Sequence, residues 1–135
     1  MSTSFTNNIN TKIIVPFEVL IKEEFASDDV GFNGKDFEII PQEDVLLGLR
    51  GAGQVRDYSV QVIYKYKAGA DYKRDDQFEH LSNIAERFKT LLWNNTDTDN
   101  WFDCRVDSIN YEQDEDDKEL FKAIIDCTFS REETI

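Results

Sequence analysis

His80 is the one histidine in this chain of 135 residues. Without a second imidazole there is no histidine pair to grip zinc. In the helical register set out below, His80 falls on the polar side, the place of an ordinary surface residue. Cys104 and Cys127 sit in alternating apolar runs, on the sides expected to be covered. No base stands beside either to draw off its proton, so both read as inert, reduced core fillers. Asp114, Glu115, Asp116 and Asp117 form an acidic run that can attract a cation. The run lacks the glycine and the spaced oxygen ligands of a calcium loop, and it reads as a solvated turn. Gly51-Ala52-Gly53 suggests a phosphate cradle. Neither the Gly-Lys-Ser/Thr ending of a P-loop nor a full Gly-x-Gly-x-x-Gly accompanies it, so a flexible excursion between strands is the better reading. The carboxylates are many, yet no spacing singles out an acid–base pair. The sequence therefore predicts no catalytic residue, no cofactor site, no metal site, and a protein that is not an enzyme.

Aromatic side chains offer binding in place of catalysis. Tyr58, Tyr64, Tyr66, Trp93 and Trp101 are of the types enriched at interface hot spots. The three tyrosines share one side of a strand and are at least as well explained as its covered face. Trp93 and Trp101 flank a polar loop at a helix end and are the better interface candidates. With Arg50, Gly51 and Gly53 of the glycine-rich stretch they make up the candidate subunit or partner interface. Ile63 and Ile124, on otherwise polar strand faces, mark a second covered patch.

These residues need elements to hold them. The stretch 75–93 reads as an amphipathic helix, with Phe78, Leu81, Ala85, Phe88 and Leu92 at steps of three and four and Ile84 and Leu91 widening the stripe. Its other face carries Glu79, Ser82, Asn83, Glu86, Arg87 and Lys89. Asp76 is the expected N-cap, with Glu79 completing a capping box. A second helix is expected over 13–25 from Ile13, Phe17, Leu20, Ile21 and Phe25, regular from Val15 onward with 12–14 extended, since Pro16 is tolerated in a first turn. Strand is the alternative for 13–21. Asn33-Gly34 suits a tight turn within 28–35. A short strand at 37–40 is expected to stop at Pro41. The stretch 42–54 reads as a mobile loop, or a loop with one helical turn at 45–49.

The clearest strand is 57–67, with Tyr58, Val60, Val62, Tyr64 and Tyr66 on one face. A third strand over 101–111 places Phe102, Cys104, Val106 and Ser108 on the core face, with a bulge expected near Ser108. The last strand, 119–130, does the same with Phe121, Ala123, Ile125, Cys127 and Phe129. Counting outward from a turn at 115–116 pairs Phe102 with Phe129, Cys104 with Cys127 and Val106 with Ile125. The order helix-strand-strand-helix-strand-strand predicts an α+β fold. An antiparallel four-stranded sheet is packed by an N-terminal helix and the central amphipathic helix, which can serve as a crossover.

Length and charge bound the rest. The chain fits one domain over 13–135, preceded by a flexible arm over 1–12. Lys and Arg total 15 against 28 Asp and Glu, a formal charge of −13, which argues against ordinary binding along a nucleic-acid backbone. The first ten residues have neither a basic n-region nor an apolar h-region, and no apolar run is long enough to span a membrane. Two cysteines without an export signal predict free thiols in a reducing compartment. The Asn94-Asn95-Thr96 glycosylation match is then empty.

Several runs together resemble the tail-terminator proteins of tailed bacteriophages. They are Phe37-Glu38-Ile39-Ile40-Pro41, the strand Arg56-Asp57-Tyr58-Ser59-Val60-Gln61-Val62-Ile63-Tyr64, the central helix, and Cys104-Arg105-Val106-Asp107-Ser108 followed by an acidic turn and Phe121-Lys122-Ala123-Ile124-Ile125. The likeness spans the chain from about Ile13 onward and rests on element order and short runs, with no diagnostic motif. It implies a structural virion protein of the tail or neck, assembled in the host cytoplasm. Such proteins form a ring, usually hexameric, at the head-proximal end of the tail tube, stopping its growth and joining the tail to the neck. The implied partners are further copies of the chain, the tail-tube protein and a neck or connector protein. DNA passes through the lumen without specific binding, and no membrane is involved. The resemblance carries no catalytic residues. The alternatives are another neck or head–tail connector protein and, less favoured, a cytoplasmic ligand-binding module or enzyme. The charge of each subunit opposes assembly in free solution.

Overall fold

Alternation in the strands and steps of three and four in the helices set the architecture. The computed structural model describes residues 5–26, 37–95 and 98–134. A π-helical turn, Ile9–Ile14, runs into α1, Val15–Glu24. Then come β1, Phe37–Arg50, and β2, Gly53–Lys67. The helix α2, Arg74–Trp93, is followed by a 3-10 turn at Thr98–Asn100. The strands β3, Trp101–Gln113, and β4, Leu120–Thr134, complete the chain. All strand pairs are antiparallel and the sheet order is β1-β2-β4-β3. The fold is thus α+β with an antiparallel four-stranded sheet. β2 and β3 run parallel on either side of β4, so α2 is a crossover and cannot be a hairpin connection.

The helices meet the sheet through aromatic rings. Tyr58, Val60, Val62 and Tyr64 of β2 and Phe121, Ala123, Ile125, Cys127 and Phe129 of β4 are buried on one face, as alternation requires. Leu81, Ile84, Ala85, Phe88, Leu91 and Leu92 of α2 cover them. Phe88 has its ring centroid 6.1 Å from that of Phe17, 5.7 Å from Phe25 and 5.9 Å from Phe37. Arg87, expected on the wet face of α2, instead stacks over Phe25 at 4.3 Å and donates to the Glu24 carboxylate and carbonyl. It thereby ties α2 to the end of α1 through the flat guanidinium and its fork of donors.

Several expectations are corrected. Asp76 does not cap α2; Lys73 is the N-cap residue and makes no side-chain cap. Asp75 and Asp76 lie in the first turn, where their charge suits the helix dipole. Residues 9–12, assigned to a flexible arm, and 12–14, expected extended, form the π-helical turn, with Ile13 fully buried. β1 does not stop at Pro41, and 42–54 is strand apart from the two-residue turn at 51–52. Pro41 is accommodated because β1 is an edge strand, with a register shift directly after it. Phe102 faces solvent and Trp101 takes the core position, because a register shift separates Trp101 from Asp103. A second shift between Val106 and Ser108 matches the expected bulge. Cys104 lies opposite Phe129, and Cys127 opposite Val106, two positions from the counted register. Both thiols are free and buried, and burial pushes Cys104 up to about 12 and Cys127 higher still. The turn expected at 28–35 lies outside the described residues.

Candidate interaction surface

The buried apolar ladder of the sheet ends at Tyr58 and Phe129, but the strands continue. β1 and β2 run on as a hairpin to Arg50 and Gly53, which pair across the two-residue turn Gly51-Ala52. Gly51 has φ 58°, the left-handed backbone that glycine adopts without cost. At Gly53 a Cβ atom would lie 2.7 Å from the Glu133 carbonyl oxygen, so glycine lets β4 approach here. This arm carries exposed apolar side chains: Val45 is 39%, Leu46 47%, Leu47 55% and Leu49 72% exposed. Neighbouring apolar residues uncovered along an edge strand are a feature that docking surfaces share.

A buried polar cluster roots the arm. Glu133 and Arg131 of β4 follow Phe129 on the helix side, and Arg56 and Gln54 of β2 lie across from them. Glu133 accepts from Tyr58 Oη at 2.5 Å and Arg131 Nη1 at 2.8 Å on one oxygen, and from Gln54 Nε2 at 3.2 Å on the other. Arg131 Nε also donates to the Asp99 carbonyl at 2.7 Å. Asp99 and Asn100 stand in the left-handed region, which Asp and Asn tolerate. Arg56 bridges Asp44 of β1 at 2.9 Å, which raises the guanidinium further. Burial, and then the Glu133 carboxylate, pushes the Tyr58 phenol well above its ordinary value, so Tyr58 remains a donor. This cluster fixes strands; its polar atoms are spent on one another.

Arg50, Gly51 and Gly53 fall together at the tip of the arm, where Arg50 lies 3.4 Å from Glu132. An open cleft of about 490 Å³ is lined by Arg50, Gly53, Trp101 and Phe102 among others. Trp101 reaches it as a core residue, 1% exposed, with Nε1 donating to the Lys12 carbonyl at 2.9 Å. It is therefore not the exposed loop aromatic that its neighbours in sequence suggested. Trp93 is 78% exposed on the last turn of α2 and is not part of the cleft lining.

His80 is not simply on a wet face. Its Nε2 lies 2.9 Å from Tyr64 Oη, its ring lies tilted against that of Tyr66 with the centroids 4.3 Å apart, and burial lowers its pKa. The acidic run is a turn in which Asp114 accepts from the backbone N–H groups of Asp116 and Asp117, and these bonds hold its carboxyl low. Among the described residues no group of three or more His, Cys, Asp and Glu is placed to hold a metal ion, and no helix is long and apolar enough to cross a membrane.

On the sheet face away from the helices, Ile63 and Ile124 lie directly opposite each other, half-exposed. Around them runs a side-chain ladder: Gln61 and Ser108 to Asp126, Thr128 to Asp107, Ser130 to Asp57. The residues that sequence reasoning missed are Val45, Leu46, Leu47 and Leu49. Only Val45 among them is a strand former and leucine favours helix, so the one available signal was an apolar run leading into a glycine turn. No protein-family model matches the chain, and no curated protein matches it.

Proposed function

We propose that the chain is a structural virion protein, a tail terminator that closes into a ring at the head-proximal end of a phage tail tube and joins the tail to the neck. The observation that carries this reading is the arm: an edge strand with exposed Val45, Leu46, Leu47 and Leu49 on a chain of net charge −13. A closed ring needs a patch on each subunit that meets a different patch on its neighbour. The arm supplies the projecting half of such a contact, and the cleft beside Trp101 or the other sheet edge, β3, supplies a receiving half. The partners under this reading are further copies of the chain, the tail-tube protein and a neck or connector protein. The excess of carboxylates lets DNA pass the lumen without adhering. The α+β fold agrees with the element order on which the resemblance to tail terminators rests. A neck or head–tail connector component is the second reading, because it needs the same docking arm.

Deletion of the gene followed by imaging of the particles tests both. Overgrown tails unattached to heads are the outcome expected of a terminator. Tails of normal length that fail to join heads favour the connector. Infectious particles with normal tails and attachment refute both readings.

A further inference from the structure

We propose that two copies of the free chain pair through β1, antiparallel, about a two-fold axis passing between Leu46 and Leu47 and perpendicular to the sheet. The segment Glu43-Asp44-Val45-Leu46-Leu47-Gly48-Leu49-Arg50 is acidic at its start, apolar through its middle and basic at its end. Turned on itself about that axis, it sets Glu43 against Arg50 of the second copy, Asp44 against Leu49, Val45 against Gly48, and Leu46 against Leu47. The ion pair then occurs twice, at both ends of an apolar middle.

Facing decides whether this register exists. Residues opposed in an antiparallel pair point to the same side of the sheet. Asp44 opposes Tyr58 and Leu49 opposes Gln54. Tyr58 and Gln54 are an even number of positions apart on β2, so Asp44 and Leu49 both point to the helix side. Glu43 opposes Ser59, Val45 opposes Asp57, Gly48 opposes Val55 and Arg50 opposes Gly53. Those four therefore point to the other side together. Asp44 with Leu49, Glu43 with Arg50 and Val45 with Gly48 thus each join like face to like face. In an unbroken strand they would not, because paired positions an odd number apart point to opposite faces. The bulge between Leu46 and Gly48 supplies the one-residue shift. The irregularity that makes β1 a poor template for regular strands makes it a fit template for itself.

The second copy is the occupant favoured by charge. Asp44 is already bridged by Arg56 of the same chain, so a docking partner must offset Glu43, and Arg50 of another copy does so in register. Among the described residues Arg50 is held by an exposed contact to Glu132, with side chains 73% and 49% exposed, which leaves it at liberty to reach across. The net charge of −13 opposes association, but screening limits that repulsion to groups within about 8–10 Å. This pairing does not rest on the ring reading. It occupies the same edge and is a property of the free chain.

Sedimentation equilibrium on the full chain reads the dimer constant. The wild type is expected to dimerise reversibly. Glu43→Arg or Arg50→Glu each sets like charges face to face twice and weakens the dimer by about tenfold. The double variant E43R/R50E restores it to within about threefold of wild type. Residues 43 and 50 lie far apart along a single strand of one chain, so this rescue has no intramolecular route. Circular dichroism checks that the exposed substitutions leave the fold intact. The proposal is overturned by a wild type that is monomeric at near-millimolar concentration, by a ring-sized species instead of a dimer, by single variants as tight as wild type, or by an unrescued double variant. None of these bears on the ring in particles, which the imaging experiment decides separately.

Discussion

Glu133→Gln tests whether the polar cluster roots the arm. The Glu133 side chain is 3% exposed and that of Arg131 8%, with 2.8 Å between them. The substitution keeps the shape and removes the charge, leaving the Arg131 guanidinium buried against the neutral Asp99 carbonyl. Removing one partner of a buried ion pair costs about 3–5 kcal/mol, because the other charge stays desolvated. Tyr58→Phe deletes one hydrogen bond to the same carboxylate oxygen, worth about 1.5–3 kcal/mol. Since the phenol donates to a charge that the Gln variant no longer has, the double variant should lose less than the sum, by roughly 1 kcal/mol. Urea unfolding followed by circular dichroism measures all three. A loss below about 1 kcal/mol for Glu133→Gln would mean that Arg131 does not depend on the carboxylate, and the account of the arm's root would be wrong.

Phe88→Ala should cost about 3–5 kcal/mol, since the ring is fully buried among Phe17, Phe25 and Phe37, whereas Lys89→Ala should stay within about 0.5 kcal/mol because its pair with Glu86 is exposed. Equal losses for the two would misplace the face of α2. Burial lowers His80 below its ordinary 6.5, so the unfolded chain binds that proton first. Its contribution to stability is complete above 6.5 and is lost as pH falls from 6.5 through the lowered folded value. His80→Gln should therefore flatten the stability profile below 6.5, and an imidazole titration midpoint at or above 6.5 in the folded chain would contradict this.

What was legible in the sequence follows from how local each signal is. The stripe of α2 and the alternation of β2 and β4 are repeated many times, and they placed the core face of those elements without structural help. β1 was misread because two local breakers, Pro41 and the glycines, and the helix-favouring Leu46, Leu47 and Leu49 outweighed strand-forming Val45. Both breakers are tolerated on an edge, and being an edge is a property of the sheet, not of the strand's own residues. The β3–β4 register was misplaced because the turn is centred on Asp117, with the Asp114 N–H donating to the Leu120 carbonyl, and not at 115–116. The shift between Val106 and Ser108 then recovers one position, which leaves Cys104 two from the counted register. The shift between Trp101 and Asp103 exchanges Trp101 and Phe102 between core and solvent, so a candidate contact residue became a core residue. The buried cluster was within reach: Arg131 and Glu133 keep the alternation of Phe129, but charged residues near a chain end invite a solvent-exposed reading.

The chain's charge and its arm divide the work of choosing partners. At least nine basic side chains already lie within 4.0 Å of a carboxylate: Lys12, Arg50, Arg56, Lys65, Lys67, Arg87, Lys89, Arg105 and Arg131. Most of the 15 Lys and Arg residues are thus matched locally, and the charge left to act outward is carboxylate. On the open sheet face even the polar groups are engaged, with Arg105 set among Asp57, Asp103 and Asp107. A ligand there would have to break these bonds before forming its own, and leaving a partner unsatisfied costs more than a new exposed bond returns. The exposed leucines of β1 carry no such penalty, because water is all they give up. Under the proposed reading, an acidic body that discourages polyanions and an apolar arm suit a protein partner better than a nucleic acid.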